Sequence, residues 1–487
     1  MSSSTTKSVT VFKNIDWLVA WDEANASHRY LRNAHLAIEG DLIIYLGKEP
    51  FQGEAHRTVD ASRAMIMPGL VNIHCHTPSS PMFKGRIEDM GNPNFWNNKL
   101  YEGIGLFMVK DAKEQAAASR LSLAEMLLAG TTTCLDMEYP EDDDEWIGAF
   151  VESGVRGIIS PIYASSSVDA ISNSKLTWTD FADGGKASWE RAIRTYEYAE
   201  AYPSDLITSM LAPNCPDLNS PEQLRDTMDF ARQKGCKVHM HAAMSPSEFH
   251  EMIRRNGRTP IQTLFDQGVL GPDTIIGHGV IVDNHSWVNW HTRDDIALMG
   301  QTGTSLSHCP TVYARDGYKL ESYRRYRKAG VTIGLGTDAC PFNMIEEMRS
   351  AVTIGRISDG DMYAVSTADV FNAATVDGAR AIGRDDIGRL AVGKKADLVV
   401  VDIDNDWMKP LYDPIRSMIY HAAERAVKDV YVNGRQVVAD GELLTMDRKA
   451  ITAELTRIAD ENYRRAPERD RRGRGMEEIS PHVFDVV

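Results

Sequence analysis

The sequence of 487 residues lacks the features that mark several large classes of protein. It has no uninterrupted apolar run of about 18 residues, so it predicts no membrane-spanning helix. Its first residues lack the basic start, apolar core and cleavage site of a secretory signal. Its six cysteines form no CxxC pair and are too sparse for a disulfide scaffold. We therefore expect reduced thiols and a cytoplasmic location.

Basic residues are also in short supply. The chain has 53 lysines and arginines against 69 acidic residues, a formal net charge of -16. Such a chain repels phosphate backbones and anionic lipids on average, and its one basic cluster, residues 464–474, is short and mixed with acids. The 43% hydrophobic and 25% charged residues are typical of a globular protein. We expect a small-molecule substrate, with no nucleic-acid and no membrane partner.

The middle of the chain alternates short β-branched or apolar runs with longer amphipathic stretches, the pattern of parallel βα units. Eight such units close naturally into a (β/α)8 barrel, whose active sites lie at the carboxyl ends of the strands. The eight runs cover residues 70–76, 131–136, 155–160, 206–213, 236–242, 274–279, 304–310 and 331–338.

Both ends of the chain show the period-two alternation of strands, for example VTVFKNIDWLVA and VKDVYVNGRQVVADGEL. We therefore predict an α/β protein with a TIM barrel at 68–384. A small β-sandwich domain is predicted from 1–67 and 385–446 together, followed by an appended helix and tail at 447–487.

Several residues able to bind a metal stand at the predicted strand ends. The first run ends with His74 and His76, which share one strand face because side chains alternate with period two. His241, His278 and Asp338 end the fifth, sixth and eighth runs. Imidazoles with a carboxylate suit Zn²⁺ or Fe²⁺, and a catalytic site leaves one position open for water. The pattern predicts a catalytic metal site at the barrel mouth.

A family resemblance rests on the motifs MPGLVNIHCHT, LAGTTTCLD, LAPNCPDLNSPE, VHMHAA, GHGVIV, SLSHCPTV, GLGTDA and GRLAVGKKADLVVVD. In this order and spacing the chain resembles the amidohydrolase superfamily. The branch it is most similar to holds s-triazine hydrolases, chlorohydrolases and nucleobase or adenosylhomocysteine deaminases. The resemblance covers nearly the whole chain and is specific for the superfamily more than for the substrate.

The resemblance implies that His74, His76, His241 and Asp338 hold one divalent metal ion, zinc first and Fe²⁺ as the alternative. It implies that His278 touches the metal-bound water or the substrate, so that His278 and Asp338 are the catalytic residues. It also favours a homodimer or larger homo-oligomer.

Two positions depart from the pattern of the branch. Deaminases there carry a glutamate three residues after the fifth-strand histidine, where this chain has Met244, and the usual histidine after the fourth strand is Asn214. Displacement of an amine or chloride from an aromatic ring carbon requires a proton on the ring nitrogen, which the glutamate normally supplies and a thioether cannot.

Hydrolysis of an amide, urea, carbamate or thiocarbamate makes a lighter demand. The metal polarises the carbonyl and lowers the pKa of its bound water toward ~7. His278 can stabilise the oxyanion while Asp338 carries the proton to the departing amine. We therefore favour metal-dependent hydrolysis of such a C–N bond, by metal-bound hydroxide, in a small apolar or aromatic molecule. Hydrolases of phenylurea and thiocarbamate herbicides are the best analogues.

Two other functions stay open. One is an aminohydrolase or chlorohydrolase of an N-heterocycle, such as an s-triazine or purine, that uses a substitute acid. The other is a binding protein that has lost catalysis, which the intact ligand set argues against. The acids near the predicted mouth that could replace the glutamate are Asp217, Glu248, Asp136 and Glu138.

Substrate contacts are predicted on the loops that follow the strands. The loop 77–103 is rich in large apolar side chains, as suits a small apolar ligand, and Met82 and Trp96 are its candidates. Met244, Asn214 and His308 are further candidates, and Tyr313 and Asn343 stand where they could line the mouth. His239, two residues before His241, is predicted to lie deeper in the barrel as a structural histidine.

Overall fold

The structure is a computed structural model that describes residues 8–101 and 105–486. Parts of two predicted segments, residues 1–7 of the sheet and 102–103 of the pocket loop, lie outside the described residues, as does residue 487. No helix in the described ranges combines the length and apolar character needed to cross a membrane.

Twenty strands form within those ranges: β1 Val9–Asp22, β2 Ser27–Glu39, β3 Leu42–Gly47, β4 Arg57–Asp60, β5 Ala64–Pro68, β6 Leu70–Cys75, β7 Thr131–Glu138, β8 Arg156–Tyr163, β9 Ser166–Ser172, β10 Lys175–Asp180, β11 Ile207–Ser209, β12 Ala212–Pro213, β13 Val238–Ala242, β14 Thr274–His278, β15 Ser305–His308, β16 Thr332–Leu335, β17 Leu398–Asp402, β18 Val427–Val432, β19 Arg435–Ala439 and β20 Glu442–Leu443.

The α-helices of the same ranges are α1 Gly105–Phe107, α2 Ala112–Leu128, α3 Asp143–Ser153, α4 Lys186–Glu200, α5 Pro221–Lys234, α6 Pro246–Asn256, α7 Pro260–Asp266, α8 Asp295–Thr302, α9 Pro310–Arg315, α10 Tyr323–Lys328, α11 Met344–Asp359, α12 Thr367–Ala373, α13 Val376–Ala381, α14 Pro414–Ser417, α15 Arg448–Arg464, α16 Ala466–Arg469 and α17 Met476–Ile479.

Strands from both chain ends share one nine-stranded mixed sheet. Its order is β20-β19-β18-β17-β5-β1-β2-β3, with β4 paired to β1. The sheet curls, because Leu42 at its β3 edge bridges Lys395 just before β17, and the rings of Phe12 and Tyr431, three strands apart, meet at 5.3 Å. The composite β domain is therefore confirmed, and the two layers of the predicted sandwich are facing halves of one curled sheet.

The predicted barrel is also confirmed. Parallel strands β6, β7, β8, β11 and β12 form one half, and β13 to β16 form the other. Bridges from Leu211 to Val238 and from Cys75 to Asp338 close the ring. The fourth predicted run is interrupted between β11 and β12. Every residue of β6, β7, β8, β13 and β14 is buried, as expected of parallel strands covered on both faces.

The helices between the strands begin and end where their sequences specify. Helix α5 starts after the Ser220 cap, whose side chain accepts from the Gln223 amide, and it ends at Gly235 in the left-handed conformation. Serine as the N-cap and glycine after the last turn each satisfy backbone groups that the helix leaves free. Because the barrel strands run parallel, their carboxyl ends all lie at one rim, which we call the mouth.

The predicted C-terminal helix packs onto the barrel beside the loop after β6. Leu455 and Ile458 of α15 join one apolar cluster with Met82, Phe83 and Ile87 of that loop. The C-terminal segment therefore covers the base of the pocket loop, a contact that no local sequence pattern indicates.

A buried ion pair joins the opposite end of the barrel to the curled sheet. Arg156, the first residue of β8, donates to both carboxylate oxygens of Asp397 at 3.1–3.2 Å, and each side chain is 1% exposed. The Asn433 amide also donates to Asp397 at 2.6 Å. These bonds fix the sheet against the barrel floor.

Candidate metal centre

The candidate centre forms where the end of β6 meets the segment after β16. The Asp338 amide donates to the His74 carbonyl at 2.9 Å, and the His76 amide donates to the Asp338 carbonyl at 3.0 Å. Gly336 allows this approach, because a Cβ there would lie 2.6 Å from the His74 Cβ. Two strands far apart in sequence thus present three of the predicted ligands side by side.

The four predicted ligands converge on one space. His74 Nε2 and His76 Nε2 each lie 3.4 Å from Asp338 Oδ1, and His241 Nε2 lies 3.3 Å from His76 Nε2. Four donors placed tetrahedrally around zinc at bond lengths of ~2.1 Å would be about 3.4 Å apart. The three distances match this spacing, and the possible ligands fall into two sets that share His74: His74, His76 and Asp338, and His74, His241 and His278.

The other ring nitrogens of the three histidines have partners that fix the rings. His76 Nδ1 donates to the Met137 carbonyl, and His241 Nδ1 lies 3.1 Å from Asn214 Oδ1. His74 Nδ1 lies 3.0 Å from His239 Nε2, while His74 Nε2 is buried and makes no hydrogen bond within the described residues. Outer partners of this kind orient metal-binding imidazoles and turn the Nε2 lone pairs inward.

Burial and contacts within the cluster set the protonation of the possible ligands. Burial and the neighbouring imidazoles hold the pKa of His241 well below its usual value, so it stays neutral. Burial alone would raise the pKa of Asp338, but the imidazoles of His74 and His76, each 3.4 Å from its carboxylate, outweigh burial and hold that pKa well below its usual range. Burial would lower the pKa of His76, but Asp338 raises it to about 9, so a bound metal ion must displace the proton of His76. The resulting neutral imidazoles and ionised carboxylate are the donor set of zinc sites.

His278 lies beside the four ligands. Its ring is 4.7 Å from that of His74 and is stacked at 5.3 Å on that of His241. Burial lowers the pKa of His278 to about 3, and its Nδ1 is buried without a partner in the described part of the chain. His278 and Asp338 have φ of +83° and +59°. Backbone strain of this kind is typical of functional sites.

The position of the missing glutamate is filled by apolar packing. Met244 packs against a buried cluster of Ala164, Cys215 and Leu218. Its backbone amide, and that of Ala243, donate to Glu248 at 2.7 and 2.9 Å. Burial raises the pKa of Glu248 to about 8. Glu248 therefore holds the loop after β13 in place through these two hydrogen bonds, and neither of them involves a possible metal ligand.

The other three candidate acids are also engaged by their own surroundings. Asp217 accepts from the indole of Trp178 at 2.8 Å, and burial raises its pKa to about 6. Asp136 accepts from the Thr77 amide at 2.8 Å, and Glu138 accepts from the Ser79 hydroxyl at 2.9 Å. A substitute for the glutamate must therefore be sought among other groups.

The predicted substrate contacts have different surroundings. Met82 is 1% exposed within the apolar cluster under α15, and Asn214 is bonded through Nδ2 to the Tyr139 hydroxyl at 2.8 Å. Trp96 stands on the rim, 36% exposed and stacked on His250 at 5.6 Å. His308 is buried, and burial lowers its pKa to about 4. Contact of these four with substrate stays a prediction.

Two further residues acquire roles that the sequence did not indicate. Asn343 caps helix α11, accepting from the amides of Ile345 and Glu346. The Met137 carbonyl orients His76, and a backbone carbonyl carries no sequence signal. His239, predicted as a deep structural histidine, is 0% exposed and bonded to His74.

Known proteins resemble this chain over most of its length. It is 31% identical over 429 residues to a 5-methylthioadenosine/S-adenosylhomocysteine deaminase of Symbiobacterium thermophilum, which covers 84% of this chain and 89% of that protein. A zinc-bound adenosine deaminase from Xanthomonas campestris superposes with a TM-score of 0.80 at 24% identity, over 93% of this chain and 98% of the other. For a zinc complex of atrazine chlorohydrolase from Arthrobacter aurescens TC1 the TM-score is 0.79 at 22% identity, over 92% and 100%.

The two solved structures share the fold of this chain, and the deaminase of Symbiobacterium thermophilum is similar to it in sequence. The family model of amidohydrolases matches residues 65–437, which include every strand of the barrel and all of the candidate ligands. The chain belongs to the amidohydrolase family.

Proposed function

We propose that this hydrolase is a metal-dependent aminohydrolase that removes an amino group from a ring carbon of a small N-heterocycle, purine-like or triazine-like. The observation that carries the proposal is a cluster of possible metal ligands at the mouth, in which His74, His76 and Asp338 form one set and His74, His241 and His278 form another, with His241 Nε2 3.3 Å from His76 Nε2. The names of the related deaminases support this substrate class over the amide or urea favoured from the sequence.

Zinc bound by the four predicted ligands would lower the pKa of a water molecule toward ~7 and so provide a nucleophile at neutral pH. The residues of the chain have two further tasks. Asp338, ionised and at the edge of the cluster, accepts the proton of the attacking water and returns it to the departing amine. His278, neutral beside the ligands, hydrogen-bonds the attacking group and fixes its direction.

Aromatic side chains at the mouth support the proposal that the substrate is small and flat. Trp96, Tyr318 and Tyr313 follow one another along the rim, with the Tyr318 hydroxyl donating to the Trp96 carbonyl at 2.5 Å and the two tyrosine rings 5.9 Å apart. Aromatic side chains with a few polar groups are typical of sites for small planar ligands.

A second candidate function is hydrolysis of an amide, urea, carbamate or thiocarbamate. The specific observation in its favour is Met244, which stands where a ring-protonating glutamate would be, while Glu248 and Asp217 are held by their own loops. A carbonyl substrate needs no proton on a ring nitrogen, so it would tolerate the methionine.

One experiment separates these functions. Purified protein is analysed for metal and then assayed with 5'-methylthioadenosine, S-adenosylhomocysteine, adenosine and an aminotriazine, and in parallel with an arylurea, an anilide and a thiocarbamate. We expect about one equivalent of zinc and ammonia release from the heterocycles. Turnover confined to the second group would overturn the aminohydrolase proposal. Bound metal below ~0.3 equivalents would contradict a metal enzyme of either kind.

The predicted cytoplasmic location and homo-oligomer belong to the same proposal. The six cysteines are free thiols, and five of them are buried, which supports a reducing compartment. Size-exclusion chromatography with light scattering tests the oligomer directly.

A further inference from the structure

Tyr313 stands over the centre without a role in the arrangement described so far. It lies in α9, which begins two residues after the end of β15 at the mouth. Its ring is 4.8 Å from the ring of His278, tilted by 53°. Tyr313 therefore borders the same space as the proposed ligands.

The hydroxyl of Tyr313 differs from those of the other tyrosines around the mouth. The Tyr101 hydroxyl lies 3.2 Å from Ser245 Oγ, Tyr139 accepts from Asn214, and Tyr318 donates to a carbonyl. Among the described residues Tyr313 is the one mouth tyrosine whose hydroxyl has no hydrogen-bond partner. Tyr313 is half-buried, and its hydroxyl is not one of the fully buried unpartnered atoms. It is therefore accessible to a ligand at the mouth, and a tyrosine hydroxyl usually takes up a hydrogen-bond partner.

This hydroxyl is protonated at neutral pH, because a tyrosine phenol has an ordinary pKa of about 10. A neutral phenol donates a hydrogen bond without giving up its proton. A donor fixed at the place where negative charge develops stabilises the transition state, because it needs no reorganisation during the reaction.

We propose that the Tyr313 hydroxyl is a catalytic hydrogen-bond donor to the substrate atom that gains negative charge: the ring nitrogen of a heterocycle, or the carbonyl oxygen of an acyl substrate. The inference rests on the proposed function, since it requires a substrate at the centre. It explains how the site can work with Met244 in place of an acid. No proton leaves Tyr313. The attacking water supplies both protons: one passes through Asp338 to the departing amine, and the other, carried by the attacking oxygen, ends on the ring nitrogen of the product.

The test compares Tyr313→Phe with a matched control, Tyr163→Phe. Tyr163 ends the barrel strand β8, and its hydroxyl is already paired with Thr227 at 2.7 Å. Each variant is examined in the zinc form for kcat and KM on the compound turned over, and for bound zinc. Acetohydroxamate is the probe for the Co²⁺-substituted protein, because it brings an oxyanion to the metal and its binding is read from the visible spectrum.

We expect Tyr313→Phe to lower kcat by about 10²-fold to 10³-fold, the loss typical of one oxyanion donor, with KM changed less than about threefold. The Kd for acetohydroxamate should rise about tenfold, the effect of one lost hydrogen bond, and bound zinc should be unchanged. Tyr163→Phe should match the wild type in all of these measurements.

An unchanged kcat together with unchanged acetohydroxamate affinity in Tyr313→Phe would overturn the inference. Loss of zinc in that variant would also overturn it, because Tyr313 would then support the centre rather than the substrate. If the wild type turned over none of the compounds, the proposed function would fail, and the acetohydroxamate affinities of the two variants would still decide the role of Tyr313.

Discussion

The buried charges at the floor of the barrel have hydrogen-bond partners, whereas two buried ring nitrogens at its mouth have none. At the floor, Arg156 and Asp397 are each 1% exposed, and their charged atoms bond to one another and to Asn433. At the mouth, His74 Nε2 and His278 Nδ1 are equally buried and have no hydrogen-bond partner in the described ranges. The buried charges of the floor are therefore paired, whereas these ring nitrogens of the mouth are not.

This difference separates a structural role from a functional one. A buried polar group without a partner costs about 1–3 kcal/mol, so an unsatisfied cluster persists only when a ligand completes it or the fold holds it in place. The strained φ values of His278 and Asp338 lie at the same end. Changes at the mouth should therefore alter metal and activity, and changes at the floor should alter stability.

The largest effect is expected at Asp338. The Asp338→Asn variant keeps the side-chain shape but loses an anionic ligand and a proton acceptor, so kcat/KM should fall by at least ~10³-fold. Bound zinc should fall as well, while the melting temperature of the metal-free protein should change little. Turnover close to that of the wild type would refute both roles of Asp338.

The Arg156→Met variant removes the ion pair at the floor and leaves Asp397 as an unpaired buried charge. We expect the free energy of unfolding to fall by about 3–5 kcal/mol, measured by urea denaturation, with zinc content per folded molecule unchanged. The control is Arg225→Met in the exposed pair with Glu222, where the loss should stay below about 1 kcal/mol. A large loss of zinc in the floor variant would contradict the separation of the two ends.

A smaller effect is expected at the outer partner of His241. Asn214→Leu removes the acceptor that orients this imidazole, so zinc affinity should fall about 10-fold to 100-fold, measured by competition with a chelator. Asn219→Leu, in the same loop but bonded to the Cys215 carbonyl, should leave the affinity unchanged. Equal affinities in the two variants would show that Asn214 does not position the ligand.

The smallest effect is expected at Met244. If Tyr313 supplies the hydrogen bond that the reaction needs, Met244→Glu should change turnover of the native substrate by less than about threefold. A required general acid contributes about 10²-fold to 10⁴-fold. A gain of that size on an aminoheterocycle would therefore show that the mouth lacks an acid, and that Tyr313 does not compensate for it.

Much of the fold follows from local patterns. The eight apolar runs correspond to the barrel strands with boundaries close to those observed, because period and flanking turns are local properties. The interruption between β11 and β12 was not predicted. The clustering of Met82 under α15 could not be predicted either, because it joins segments more than 300 residues apart.

The candidate site, like the fold, was predicted from the sequence only in part. Strand-end placement predicts that His74, His76, His241 and Asp338 share one rim. The structure places His74 Nε2 and His76 Nε2 3.4 Å from Asp338 Oδ1, and His241 Nε2 3.3 Å from His76 Nε2. Their outer partners were not predicted, since a carbonyl such as that of Met137 has no sequence signature. The hydrogen bonds from the Ala243 and Met244 amides to Glu248 were not predicted either, because they depend on the conformation of the turn after β13.

The sequence by itself determined the fold class, the family and the residue types at the mouth, because hydrophobic period and ordered motifs are written along the chain. Tertiary structure alone decided which polar groups are left without partners. Satisfaction of a buried group depends on atoms from strands distant in sequence, as with Asp338 beside His74 and Tyr313 beside His278. The paired charges of the floor and the unpaired ring nitrogens of the mouth become distinguishable only when those strands meet.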